Sequence, residues 1–386
     1  LSGATVATQR AFVMVSVMLL AVMLDRPAIS LRALALAAAI ILAIRPVSLF
    51  DVGFQMSFAA TVALVAGYEA LRAHRPVWPD DGGGAARRGL RIAAVYVGAV
   101  LFTSVLAGAA TAPFTAMHFN RVAPWGLVAN LGAVPAMGLL IAPAGIGAAL
   151  LAPLGLAGPA LEVMAAGIGW VLTVARWVAA LPGADRPVSA AWPWFLALIV
   201  LGGLWLAIWR GPWRLIGAGV LALSVAVWWA VPGERPVLLV APGGLLAGLA
   251  GPEGRVLDHA RAGSYAAETW LRRDGDMADQ RAAAARPGFV EEGALRRGRL
   301  GPGWQVVWIR GRREAAATAA QACRPGVLVF ARHLDDAPPG GCRFVGAPDL
   351  AKMGAISVHM VPAGPVVRGA ARPGHRPWDI APPGQE

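Results

Sequence analysis

Long apolar runs separated by short polar or Pro/Gly-containing intervals fill the chain up to residue 231, and from residue 236 the runs shrink to strand length. Two textures predict two parts. The first is a polytopic α-helical membrane domain over 1–233, and the second a small soluble α/β domain over 236–370 with a disordered tail at 371–386. The windows 6–24, 28–44, 52–71, 90–111, 122–151, 156–181, 192–209 and 213–231 are close to or above the length that crosses a hydrocarbon core of about 30 Å, so about eight transmembrane segments are expected. The fifth holds Pro135 and Pro143 among five glycines. Proline removes a helix hydrogen bond, so two half-helices or a re-entrant pair are expected there, with the break between Ala133 and Gly145.

In the second part, short apolar runs are joined by turn pairs at Pro242-Gly243-Gly244 and Pro252-Glu253-Gly254. The stretch 264–273 reads as a helix capped by Ser264, 274–303 as a mobile polar loop, and 312–323 as an Ala-rich helix. Strands are expected at 304–310, 326–332 and 355–361, and the tail is expected to begin at Arg368.

Composition sharpens the membrane reading: 57% of residues are hydrophobic and 15% charged. Arginine placement orients the bundle. Arg72, Arg75, Arg87, Arg88 and Arg91 outweigh Asp80 and Asp81 in one connection, which the positive-inside bias places in the cytoplasm. Counting crossings from there puts 119–121 outside, Arg210 to Arg214 inside, and the carboxy-terminal domain outside, in the periplasm, provided the fifth segment crosses once. Trp192, Trp194, Trp209, Trp213, Trp228 and Trp229 at segment ends fit interfacial belts.

Three motifs carry the chemistry. The chain opens LSGATVATQRAFVM, which places Arg10 near the start of the first helix. Next, RPVSLFDVGFQMSFAATVALVAG sets Gln55 and Ser57 at the start of an apolar helix, where a polar side chain needs a protein partner or a wet path. Last, FNRVAPWGLVANLGAVPAMGLLIAPAG carries Arg121 and Asn130 ahead of the prolines. In this order the segments resemble the ComEC family of bacterial competence channels. A start at the first motif, without Met, reads as part of a longer protein.

The resemblance implies an inner-membrane channel for single-stranded DNA in natural transformation, with a cytoplasmic motor and periplasmic DNA-receptor proteins as partners and a homo-oligomer as one arrangement. Arg10, Gln55, Ser57, Arg121 and Asn130 are its candidate path residues. Each has a plainer alternative: snorkelling to lipid head groups for the arginines, interhelical hydrogen bonds for the others. A net charge of +12 suits a polyanion, although 33 of 34 basic residues are Arg, a bias of overall composition. The competing function is a secondary transporter for a small anion bound at the broken fifth segment. A membrane-bound hydrolase is a third reading.

No cofactor, metal or enzymatic activity is expected. Many relatives in that family carry a metal-binding His-x-His-x-Asp-His motif after the membrane domain. Here His259, His333, His359 and His375 are each isolated, and Asp258, Asp335 and Asp336 read as solvated loop residues. Glycines in PGGLLAGLAG lack the spacing of a phosphate loop. Cys323 and Cys342 either close a disulfide or remain two buried thiols.

Overall fold

The structure is a computed structural model and describes residues 6–27, 29–73, 85–231, 235–293, 295–309, 311–312 and 315–370. The expected tail over 371–386, His375 and most of the Arg-rich connection lie outside these residues. Two compact units are present, Leu1–Pro232 and Gly233–Glu386.

The first unit is helical: α1 (Val6–Met23), α2 (Leu31–Ile44), α3 (Val52–Ala73), α4 (Ala85–Phe119), α5 (Gly126–Ala136), α6 (Ala142–Leu151), α7 (Gly158–Ala179), α8 (Phe195–Ile208) and α9 (Arg214–Ala230). Its loops contribute one small pairing of β1 (Arg121–Val122) with β2 (Arg186–Pro187). Among the described residues, five stretches are long and apolar enough to cross a membrane: Val52–Arg72, Arg87–Phe119, Gly126–Leu154, Gly158–Ala179 and Gly211–Ala230. Apolar helices at Thr8–Met23, Leu31–Ile44 and Phe195–Ile208 are shorter, so five of the eight expected segments reach spanning length as helices among the described residues. The 14 residues of α2 or α8 rise about 21 Å, less than a core of about 30 Å, because flanking apolar residues such as Trp192 and Trp194 lie before the helix. Outward faces are apolar, with Phe12 72% and Trp229 83% exposed, as suits a bundle solvated by lipid.

The fifth segment corrects the sequence expectation more sharply. Backbone torsions stay helical from α5 through Met137–Ile141 into α6, so one rod passes both prolines. The break is replaced by a π turn at Met137–Ile141, which shifts the hydrogen-bond register and leaves Pro143 in the first turn of α6, where a missing N–H costs little. Trp170 on α7 donates through Nε1 to the Gly132 carbonyl at 3.0 Å, in the turn before Pro135. Small residues set the closest approaches, as they do where helices pack without a hydrophobic drive: Gly132 faces Val174, Gly167 faces Ile141, and Gly217 meets the backbone of α8.

The second unit is built on two five-stranded sheets. Its strands are β3 (Leu238–Val240), β4 (Ala247–Gly251), β5 (Gly254–Leu257), β6 (Phe289–Glu292), β7 (Leu295–Gly301), β8 (Trp304–Ile309), β9 (Val327–Ala331), β10 (Arg343–Val345), β11 (Ile356–Val361) and β12 (Gly364–Gly369). One sheet has the order β12-β11-β3-β4-β5, and the other β10-β9-β8-β7-β6, with β8, β9 and β10 parallel. Leu238, Val240, Leu249, Val306, Trp308, Leu328 and Phe330 fill the space between the sheets. Helix α10 (Ser264–Asp274) with α11 (Gln280–Ala285) covers one outer face, and α12 (Ala315–Ala322) the other.

Three local expectations change. The 274–303 stretch is not a loop: it holds α11 and the β6–β7 hairpin, whose Arg296–Glu291 and Arg297–Glu292 pairs disguise an edge strand and its neighbour as a polar linker. Gly263, with φ of 62°, is the N-cap of α10, and Ser264 is its first helical residue. Arg368 belongs to β12 rather than to a tail. Cys323 and Cys342 are joined in a disulfide between the end of α12 and the start of β10.

Candidate functional site

The motif residues converge at one end of the helical unit, and three contacts define that end. Arg10 Nη1 on α1 donates to Asp51 Oδ1 at 2.7 Å, just before α3. Gln55, one turn into α3, is 2.8 Å through Oε1 from His118 Nε2 in the last turn of α4, and its Nε2 donates to the Leu49 carbonyl at 2.9 Å. Arg121 Nη1 then pairs with Asp185 Oδ2, fastening the α4–α5 loop to the α7–α8 loop beside the β1–β2 pairing. Trp228 Nε1, near the end of α9, donates to Ser189 O at 3.2 Å, so the chain leaves the unit at this same end. The opposite end is marked by Arg210 reaching Glu69 at 3.8 Å.

Asp51 does two jobs with one oxygen. Oδ1 accepts the Phe54 amide at 2.8 Å, capping α3, while it also accepts from Arg10. Arg10 is held close, with its side chain only 12% exposed against 42% for Asp51. Its Nε is buried without a partner among the described residues. Gly53 makes room: a Cβ there would lie 2.8 Å and 2.9 Å from the two terminal guanidinium nitrogens. Behind this polar tip, Phe54 and Phe58 pack with Leu34 and Ile41 into the apolar core that fixes α3 against α2. The pair on the α4–α5 loop is open by comparison, with Arg121 46% and Asp185 51% exposed.

Not every candidate joins the cluster. Ser57 is half-buried two residues beyond Gln55 on α3, where its carbonyl accepts the Thr61 hydroxyl at 2.8 Å. Asn130 is exposed on α5, and it is Trp170 rather than Asn130 that bonds to the backbone ahead of Pro135. Sequence reasoning missed Asp51, Gly53, His118 and Asp185. Asp51 had a signal, since an Asp directly before an apolar helical run is an N-cap signature. Nothing local marks the other three.

In the second unit, polar residues near histidine serve turns and caps. Asp258 is buried rather than solvated, and its Oδ1 accepts the Ala247 amide at 2.7 Å. His259 Nδ1 accepts the amides of Arg261 and Ala262. The His333 pKa is pushed down by burial and by the charges of Arg332 and Arg312. Among the described residues, no group of three or more His, Cys, Asp or Glu side chains is placed to hold a metal ion.

Apolar helices facing outward, a part-buried arginine–aspartate pair and polar side chains gathered at one end of the bundle define a helical membrane protein with a polar terminus. A family model described as Competence protein matches residues 1–213, more than half of the chain. The chain therefore belongs to the Competence protein family, of the ComEC type. No curated protein and no solved structure matches it. Membership points to a role in competence and DNA uptake. The continuous α5–α6 rod removes the half-helix site on which the anion-transporter alternative rested.

Proposed function

We propose that this chain forms part of the inner-membrane path by which single-stranded DNA is taken up in natural transformation. The observation carrying it is the convergence of one polar residue from each motif, Arg10, Gln55 and Arg121, at one end of an otherwise apolar bundle. A strand presents one charge per nucleotide, and guanidinium groups bordering a low-dielectric interior attract it more strongly than groups in bulk water. In this scheme no covalent bond is made or broken: a partner motor in the cytoplasm supplies the work, and a periplasmic receptor delivers the strand. The Arg-rich end with Arg72, Arg88 and Arg210 faces the cytoplasm under the positive-inside bias, so the motif end faces the periplasm, and the second unit with it.

Uptake measured with protein abundance tests the path. Arg121→Glu is expected to abolish transformation, with DNA still reaching the periplasm and abundance unchanged, because a carboxylate there repels each phosphate in turn. Arg121→Lys keeps the charge and is expected to retain most uptake. Full transformation by Arg121→Glu and Arg10→Glu proteins at normal abundance would remove both residues from the path.

A further inference from the structure

Both arginines offered to the strand already hold a carboxylate, Arg10 with Asp51 and Arg121 with Asp185. Two such pairs at one end of the bundle, from unrelated loops, call for a common reason. Simple anchoring explains Asp51 in part, because it also caps α3. It explains Asp185 less well, since that pair is about half exposed, and exposed pairs add little to stability. Conduction imposes a different demand: a site must bind well enough to admit the ion and weakly enough to release it. An uncompensated arginine bordering apolar helices would retain a phosphate.

Resting on the path proposed above, we infer that Asp51 and Asp185 are release residues: each competes with a passing phosphate for its arginine, so the strand moves from one guanidinium to the next without being trapped. The geometry suits exchange. Arg10 meets Asp51 through Nη1, and the Asp51 side chain is itself well exposed, so a phosphate can reach the pair from the solvent side. Arg121 and Asp185 are open to an incoming anion on both partners. Asp51 and Asp185 neither touch each other nor share an arginine, which makes them separable by mutation.

The test uses the full chain in lipid nanodiscs with a fluorescent oligothymidylate, titrated at several salt concentrations, beside transformation and abundance in cells. Asp185→Asn is expected to tighten binding about fivefold, the upper range for an exposed ion pair. It should also steepen the salt dependence by about 0.7 for the phosphate gained, and lower transformation at unchanged abundance. Asp51→Asn should act in the same direction, because Asn keeps the cap and loses only the charge. Arg10→Gln and Arg121→Gln should weaken binding and flatten the salt dependence.

Arginine variants that weaken binding, beside Asn variants that bind and transform like the parent, would overturn the release role and leave the path standing. Asn variants that raise transformation, or that lose abundance, would overturn it as well. Unchanged binding and uptake in the arginine variants would remove the path itself.

Discussion

A carbon atom added at position 53 lands against the Arg10 guanidinium and 3.1 Å from Asp51 Oδ1. The obstruction is the far end of a flexible side chain, so Gly53→Ala should leave the protein folded while prying Arg10 from Asp51. Reduced transformation at near-normal abundance is the expected result, and normal transformation would show that the Arg10 position does not matter. In the second unit, Asp276 pairs with Arg286 through two terminal nitrogens, and the bond from Arg286 holds its carboxyl below the ordinary carboxylate pKa. A lowered folded-state value means that the pair's stabilisation is complete above the ordinary carboxylate pKa and is lost as the pH falls from there through the lowered value. Hydrogen exchange at β5, whose Arg255 carbonyl also accepts from Arg286, should show acid-induced opening in the parent. Asp276→Asn should open β5 already at neutral pH, with much less further change on acidification.

At the scale of elements, the length of the apolar runs located the helices because lipid exposure demands apolar residues all round, a demand met locally along the chain. It misjudged how the elements end and join. Proline spacing suggested a break in the fifth segment, yet a π turn takes up the register change within one rod. The polar 274–303 stretch concealed a hairpin because its arginines satisfy glutamates on the neighbouring strand, a pairing invisible until the strands are adjacent. Close helix contacts give a sharp test. Gly217 sits so near α8 that a Cβ would lie 2.6 Å from the Gly202 carbonyl and 2.7 Å from the Leu206 amide nitrogen, both backbone. Gly217→Ala must push the two helices apart, at a cost of about 1–3 kcal/mol by the usual penalty for overpacking, and should lower thermal stability in detergent. Gly219→Ala, which meets nothing within 4 Å, is the control and should be neutral or mildly stabilising.

For the whole molecule, the proposed sidedness has a direct chemical test. Under the proposed orientation, with the positive-inside bias setting the Arg-rich end in the cytoplasm, the chain that leaves α9 at the motif end carries the second unit to the periplasmic side. Cys323 and Cys342 should therefore become accessible to a membrane-impermeant thiol reagent in intact spheroplasts after mild reduction. Labelling only after lysis would invert the topology. The membrane class, the change of texture near residue 236 and the three ordered motifs were legible in the chain itself, because each depends on local composition or on neighbouring residues. Only helix packing sets the motifs at the same end of the bundle and gives their arginines carboxylate partners. Arg10 and Asp51 lie 41 residues apart, and Arg121 and Asp185 lie 64 apart, so those pairs exist only once helix packing has brought distant turns to the same end of the bundle.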